Sequence, residues 1–265
     1  MISNEQLVSR AFSYQSALFD RLNDENKLTE HLRSIYRNEI LSNVLPGMQI
    51  LELNCGTGVD AVFLAEKGFD ILATDNAAGM LDQLKYKIQQ HHLQDRITPV
   101  LCSFNDLSGI GGIKYDYILS NFGGLNCSDD LSAVLKQFSG LLSEKGKVTL
   151  VIMPKISPWE LVMALKGDFK TAFRRFRKNA MAHIEGVYFP VYYYNPSYVI
   201  KTLKKDFNVC TLKGIYFAVP PEFYKHFVER HPRAYKFLQR AESALGGHFP
   251  FTYCCDHYMI TLQKK

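Results

Sequence analysis

Between Ile50 and Leu81 the chain reads ILELNCGTGVDAVFLAEKGFDILATDNAAGML, and this stretch constrains the fold more than any other. Ile50-Leu51-Glu52-Leu53 is a short apolar run of the kind a buried parallel strand needs, because helices cover both faces of such a strand. Asn54-Cys55-Gly56-Thr57-Gly58 then turns tightly, and helical spacing sets in at Val59, Val62, Phe63 and Leu64. Glycine lets the backbone bend sharply and lets a ligand approach where a Cβ would otherwise stand. Asn54 occupies a position where many such loops carry another glycine; asparagine is among the few residues that tolerate left-handed backbone. A second apolar strand, Ile71-Leu72-Ala73-Thr74, ends on Asp75. That carboxylate lies roughly 20 residues past the loop, where nucleotide-binding α/β folds place the acceptor for ribose hydroxyls.

The glycine pattern alone leaves several readings open. A dinucleotide fingerprint asks for G-x-G-x-x-G, and Ala61 stands where its third glycine or an alanine would fall. A nicotinamide enzyme or a plain α/β domain would fit that much. The flanks say more: E-L-N-C-G-T-G through the loop and T-D-N-A-A-G-M-L after the second strand resemble the class I S-adenosylmethionine-dependent methyltransferases. The resemblance implies a doubly wound, seven-stranded, mostly parallel sheet of the Rossmann-like methyltransferase type, with an antiparallel last strand. It also implies S-adenosylmethionine as cofactor and S-adenosylhomocysteine as product. Glu52, Gly56 and Gly58 would line the methionine half, Asp75 would hold the ribose, and Met80 would pack on the adenine. Asn54 and Asn76 join them as neighbours in the same loops.

The chain has 265 residues, 47% hydrophobic and 22% charged, enough for a single domain over 1–265 with an insertion. No apolar stretch approaches the ~18 residues a membrane helix requires. Met1-Ile2-Ser3-Asn4-Glu5-Gln6 lacks the basic-then-apolar pattern of a secretory signal, so a cytoplasmic address is expected. Cys55, Cys102, Cys127 and Cys210 are scattered, and Cys254-Cys255 are adjacent, a poor arrangement for a disulfide or a zinc site. Free thiols and no metal are expected.

Residues 1–46 read as N-terminal helices, with apolar positions from Leu7 to Val44 at helical steps. Ala11-Phe12 followed by Phe19-Asp20 resembles the helix that lies across the cofactor in many small-molecule methyltransferases. By that resemblance Tyr14 is a candidate cofactor contact; packing of its ring on the core is the alternative. The third strand, Ile97 to Cys102, leads into Ser103-Phe104. The family usually carries an acid at the position of Ser103 to accept from the adenine amino group, and Phe104 would offer a backbone amide and a flat face. The fourth strand, Tyr115 to Ser120, ends in Asn121-Phe122-Gly123-Gly124-Leu125-Asn126, beside the first strand at the switch point of the sheet. Asn121 and Phe122 are candidates for the cofactor and Asn126 for substrate. This loop lacks the two prolines and following aromatic carried by enzymes that methylate DNA bases or glutamine, and it resembles small-molecule methyltransferases.

A fifth strand, Val148 to Met153, closes the regular alternation, and residues 155–195 interrupt it. Trp159 and a dense set of tyrosines at 188 and 192–194 suggest a cap over an apolar pocket, with Trp159 and Tyr192 as substrate contacts. The basic run Phe173-Arg174-Arg175-Phe176-Arg177-Lys178 has three readings. It could meet nucleic-acid phosphates, one small anion, or only water with Phe169, Phe173 and Phe176 turned inward. The net charge is only +5 and no RNA-binding module is visible, so nucleic acid is the less favoured partner. The sixth strand is read at about 209–219, and a helical segment, interrupted at Pro232, at about 222–244. In the resembling fold the last strand, Tyr258 to Leu262, starts at the substrate edge, which makes His257 a candidate base with Asp256 beside it. The resulting expectation is a methyltransferase for a small aromatic or lipid-like metabolite, acting on O, N or C. The alternatives are an RNA methyltransferase and a non-catalytic S-adenosylmethionine-binding protein.

Overall fold

The computed structural model describes residues 2–24, 26–110 and 112–265; Met1, Glu25 and Gly111 lie outside the described residues. Two helices, α1 (Asn4–Asp24) and α2 (Lys27–Leu41), precede a βα alternation. It runs β1 (Gln49–Leu53), α3 (Val59–Ala65), β2 (Asp70–Asp75), α4 (Ala78–Gln90), β3 (Ile97–Leu101), β4 (Tyr115–Ser120), α5 (Leu131–Leu141) and β5 (Leu142–Ile152). The insertion holds two single-turn helices, α6 (Pro158–Leu161) and α7 (Phe169–Ala172), and a hairpin of β6 (Met181–Ile184) and β7 (Val187–Pro190). The chain ends with α8 (Pro196–Leu203), β8 (Phe207–Ile215), α9 (Phe227–Arg230), α10 (Pro232–Leu245) and β9 (His257–Lys264).

The seven-stranded sheet has the order β3-β2-β1-β4-β5-β9-β8. β1 to β5 pair in parallel, and β9 runs antiparallel between β5 and β8, as the glycine-loop resemblance implied. Period-two alternation sends Ile50, Tyr117, Leu119 and Met259 to a core shared with α2, α3 and α4. Leu51, Leu53, Ile118, Tyr258 and Ile260 point to the other core, under α5 and α8. Because both faces are covered, the strands carry continuous apolar runs.

Two boundaries differ from expectation. β8 spans Phe207–Ile215 because it pairs with β9 from Phe207 opposite Lys264 to Ile215 opposite His257. Tyr216 then takes left-handed backbone (φ 59°) and ends the strand. The helical segment anticipated at about 222–244 breaks at Pro232, as expected, where α10 begins, but its first part is a 3-10 turn, Glu222–Tyr224, and the short α9.

The strand order reverses between β1 and β4, so the loops after β1, β2 and β4 splay around a crevice at their carboxyl ends. α1 roofs that crevice. Ser9 Oγ donates to the carbonyl of Asn76 (2.8 Å), and Thr57 Oγ1 donates to Asp20 Oδ1 (2.5 Å). The insertion grips α1 from its outer side, where Phe189, Val191 and Tyr193 bury Ala11 in a small separate core.

Candidate active site

The crevice under α1 is a cavity of about 260 Å³, just under the roughly 300 Å³ at which small-ligand pockets usually begin. Its wall joins the three loops: Glu52 to Thr57 after β1, Asp75 to Ala77 and Met80 after β2, Asn121, Phe122 and Gly124 after β4. Ser103 and Phe104 line it below, and Val8, Ser9 and Phe12 of α1 close the top.

The loops are locked to one another by hydrogen bonds that need the residue types present. Asn54 adopts left-handed backbone (φ 45°). Its Oδ1 accepts from Ser120 Oγ (2.5 Å) and its Nδ2 donates to the carbonyl of Asn121 (3.1 Å), tying the β1 loop to β4. Gly124 packs so tightly here that a Cβ would lie 2.4 Å from Asn54 Nδ2. Asp75 accepts the backbone N–H of Gly56 on one oxygen and that of Ala77 on the other, both at 2.8 Å. Burial still raises its carboxyl above the ordinary range, against those two bonds.

Glu52 is the most strained charge in the wall. It is 3% exposed, and its Oε2 has no hydrogen-bond partner among the described residues. Burial, then the neighbouring Asp60, raises its carboxyl well above the usual range; Arg33 and Arg37 pull the other way. Asp60 itself is satisfied by Arg33 Nη1 (3.0 Å), Arg37 Nε (2.8 Å) and Asn121 Nδ2 (3.1 Å). The Arg33 guanidinium also lies 4.8 Å from the centre of the Phe122 ring. The thiols nearby carry no nucleophile: burial pushes Cys127 up to about 12 and holds Cys55 well above its usual range, so both remain protonated.

The structure brings together Glu52, Asn54, Gly56, Asp75, Asn76, Met80, Ser103, Phe104, Asn121 and Phe122 on this one wall. The remaining candidates lie elsewhere. Gly58 serves packing, since a Cβ there would meet Leu84 Cδ1 at 2.2 Å and its φ is 76°. Tyr14 is 55% exposed and its hydroxyl accepts from Arg10 Nε (2.9 Å), because α1 turns Phe12 inward instead. Asn126 is consumed by backbone: its Nδ2 donates to Met153 O and Tyr192 O, and its Oδ1 accepts from Met153 N. Tyr192 is thereby tied to the loop by its main chain, and Trp159 packs edge-on against Tyr224 (centroids 5.4 Å). Among the described residues none of 155–195 lines the cavity. His257 is 3% exposed and lies outside the wall, its Nδ1 2.9 Å from Asp256 Oδ2 without the alignment of a hydrogen bond.

The basic run corrects two of its readings. Arg175 is 4% exposed, reaching Glu160 Oε1 (2.7 Å), Asp256 Oδ1 (2.5 Å) and the carbonyls of Pro154 and Asp256. Arg174 grips both oxygens of Glu160 (2.8 and 2.6 Å). Arg175 turns inward to meet buried carboxylates and Arg174 reaches Glu160 from the surface, while Phe169, Phe173 and Phe176 are exposed. Neither an inward phenylalanine face nor an open phosphate track at 174–175 exists.

Arg33, Asp60 and Glu222 are among the wall residues that escaped the sequence. Arg33 and Asp60 are charges set beside apolar helical positions, a pattern that hints at inward-facing ions. Glu222, on the turn after β8, offered no local signal; only the topology carries it to the cavity.

Residues 50–146 match the family model described as a methyltransferase domain. No curated protein matches the chain by sequence. Among solved structures, the cyclase SpnF is similar at a TM-score of 0.64 and 11% identity, covering 99% of this chain and 97% of that one. Magnesium protoporphyrin IX methyltransferase from Synechocystis PCC 6803, solved with bound S-adenosylhomocysteine, is similar at 0.59 and 14%, covering 99% and 100%. Geranyl diphosphate C-methyltransferase from Streptomyces coelicolor A3(2) is similar at 0.57 and 11%, covering 89% and 81%. At such identities the likeness establishes the fold.

Proposed function

We propose, from the match of residues 50–146 to a methyltransferase domain, that the chain is a class I S-adenosylmethionine-dependent methyltransferase and methylates a small molecule held in the cavity under α1. The observation that carries the reading is Glu52: a buried residue of the cavity wall with a carboxylate oxygen that has no partner among the described residues, beside loops that are already locked. Such a group is costly unless a ligand supplies a donor.

The residues present fit the cofactor. Glu52 would receive its ammonium and Arg33 its carboxylate, Asp75 its ribose hydroxyls, and Met80, Ser103 and Phe104 its adenine. When bound, S-adenosylmethionine supplies a methyl group on a sulfonium, so the transfer needs no protein nucleophile. The protein's part is alignment and exclusion of water. α1 supplies the exclusion, and the rigid loops after β1 and β4 supply the alignment.

Three features favour a small substrate over RNA. The cavity is roofed, its volume is small, and Arg174 and Arg175 are engaged with Glu160 and Asp256. An incubation with methyl-labelled S-adenosylmethionine, a metabolite extract and total RNA tests the reading. Label is expected in the low-molecular-weight fraction; label confined to RNA would overturn it.

A further inference from the structure

Five carboxylates and one guanidinium line the cavity, in a chain whose net charge is +5. Most of the carboxylates are spoken for. Asp60 is paired with Arg33 and Arg37, Asp75 holds two backbone N–H groups, and Glu5 accepts from Asn105 Nδ2 (3.2 Å). Glu52 and Glu222 remain, each with a buried Oε2 that has no partner among the described residues. The cofactor brings one ammonium, which Glu52 receives. Glu222 already takes a backbone hydrogen bond and the attraction of His257 and Arg175, but its Oε2 still lacks a donor, which a second ligand cation in the same cavity would supply.

We infer that Glu222 is the substrate-binding carboxylate and that the substrate is a small amine, methylated on nitrogen; this rests on the methyltransferase reading above. Its placement is built. The Asn26 side chain caps α2 by accepting from Leu28 N (3.1 Å) and donates from Nδ2 to the Glu222 carbonyl (2.8 Å), which fixes the 3-10 turn against the start of α2. Burial raises the Glu222 carboxyl above the ordinary range, and the charge of His257 opposes that rise. The group is thus able both to hold an ammonium as carboxylate and to accept its proton, becoming the neutral acid that burial favours.

The chemistry balances with S-adenosylmethionine as methyl donor. An ammonium gives one proton to Glu222 and becomes the free amine. Its nitrogen lone pair forms the new N–CH3 bond, the S–CH3 pair stays on sulfur, and the proton remains on Glu222 until product leaves. Phe12 on the same wall adds an aromatic ring of the kind that suits a cationic ligand, whereas the Phe122 ring already carries Arg33.

Calorimetry on the full chain, first saturated with S-adenosylhomocysteine, tests this with three probes of one size: benzylamine, phenol and benzoate. Benzylamine is expected to bind most tightly, benzoate not at all. Glu222→Gln should weaken benzylamine at least tenfold while leaving S-adenosylhomocysteine affinity within twofold, which also shows that the variant is folded. Glu222→Asp, which keeps the charge, should restore part of the loss. Tighter binding of phenol or benzoate, no binding of benzylamine, or equal binding by the glutamine variant would overturn the inference and leave the methyltransferase reading standing. Failure of S-adenosylhomocysteine itself to bind would overturn both.

Discussion

Glu52 shows why the wall proposed for the cofactor was legible and why the rest of the cavity was not. It lies in the strand that enters the glycine loop, so one local pattern gave the position of the strand, the loop and the carboxylate together. Asp75 and Met80 follow for the same reason. Glu222, Arg33 and Asp60 come from segments whose spacing encodes only their own turn or helix, and nothing local says which cavity they face. The structure adds a cost to Glu52 that the pattern does not show. Its carboxyl is raised by burial, so its stabilising contribution is present at low pH and is lost as pH rises through the raised value. Glu52→Gln should therefore raise the melting temperature of the ligand-free protein at neutral pH, by an amount worth about 1–3 kcal/mol, while weakening S-adenosylhomocysteine by tenfold or more. Thermal melts and calorimetry on the same variant check both; a lower melting temperature would show that Glu52 is satisfied without ligand.

At the scale of elements, the strands and their helices followed from apolar runs and glycine turns, and α1 lies over the crevice as its resemblance implied, while among the described residues none of 155–195 lines that cavity. Composition made residues 155–195 look like a cap, because aromatic residues cluster there. The hairpin instead packs Phe189 against Phe12 (ring centroids 6.1 Å) and presses α1 onto the cofactor loops. The basic run misled for a related reason: a run of arginines reads as a solvated face unless the carboxylates it meets, Glu160 and Asp256, are known to be buried. Hydrogen exchange separates the two pictures. S-adenosylhomocysteine should protect residues 5–12, 52–57 and 75–80 most, with little change in 155–195. Protection centred on 155–195 would restore the cap.

Across the whole molecule, the cluster of Arg175, Glu160 and Asp256 joins the insertion to the start of β9 and, through the hairpin, to the roof. Burial alone would raise the Asp256 carboxyl, but Arg175 and then His257 prevail and hold it well below the usual range. Its contribution to stability is complete above the ordinary value of 3.8 and is lost as pH falls through the depressed one. Arg175→Met removes the buried cation that Glu160 and Asp256 share, leaving Glu160 only the half-exposed Arg174 and Asp256 only Ser157 and His257, and should cost about 3–5 kcal/mol at neutral pH. Denaturant unfolding of the variant at pH 7 and of the parent from pH 6 downward would test this; an unchanged midpoint at pH 7 would show the cluster to be dispensable.

The central claim is that the wall built by Glu52, Asp75 and Met80 binds S-adenosylmethionine. Calorimetric titration of the full chain with S-adenosylmethionine, S-adenosylhomocysteine and NAD tests it most directly, with Asp75→Ala run beside the parent. The account predicts one site for the first two ligands, none for NAD, and a ten- to hundredfold loss in the variant, the roughly 1–3 kcal/mol of a removed ribose acceptor. Preferential binding of NAD, or unaltered S-adenosylhomocysteine affinity in Asp75→Ala, would contradict it.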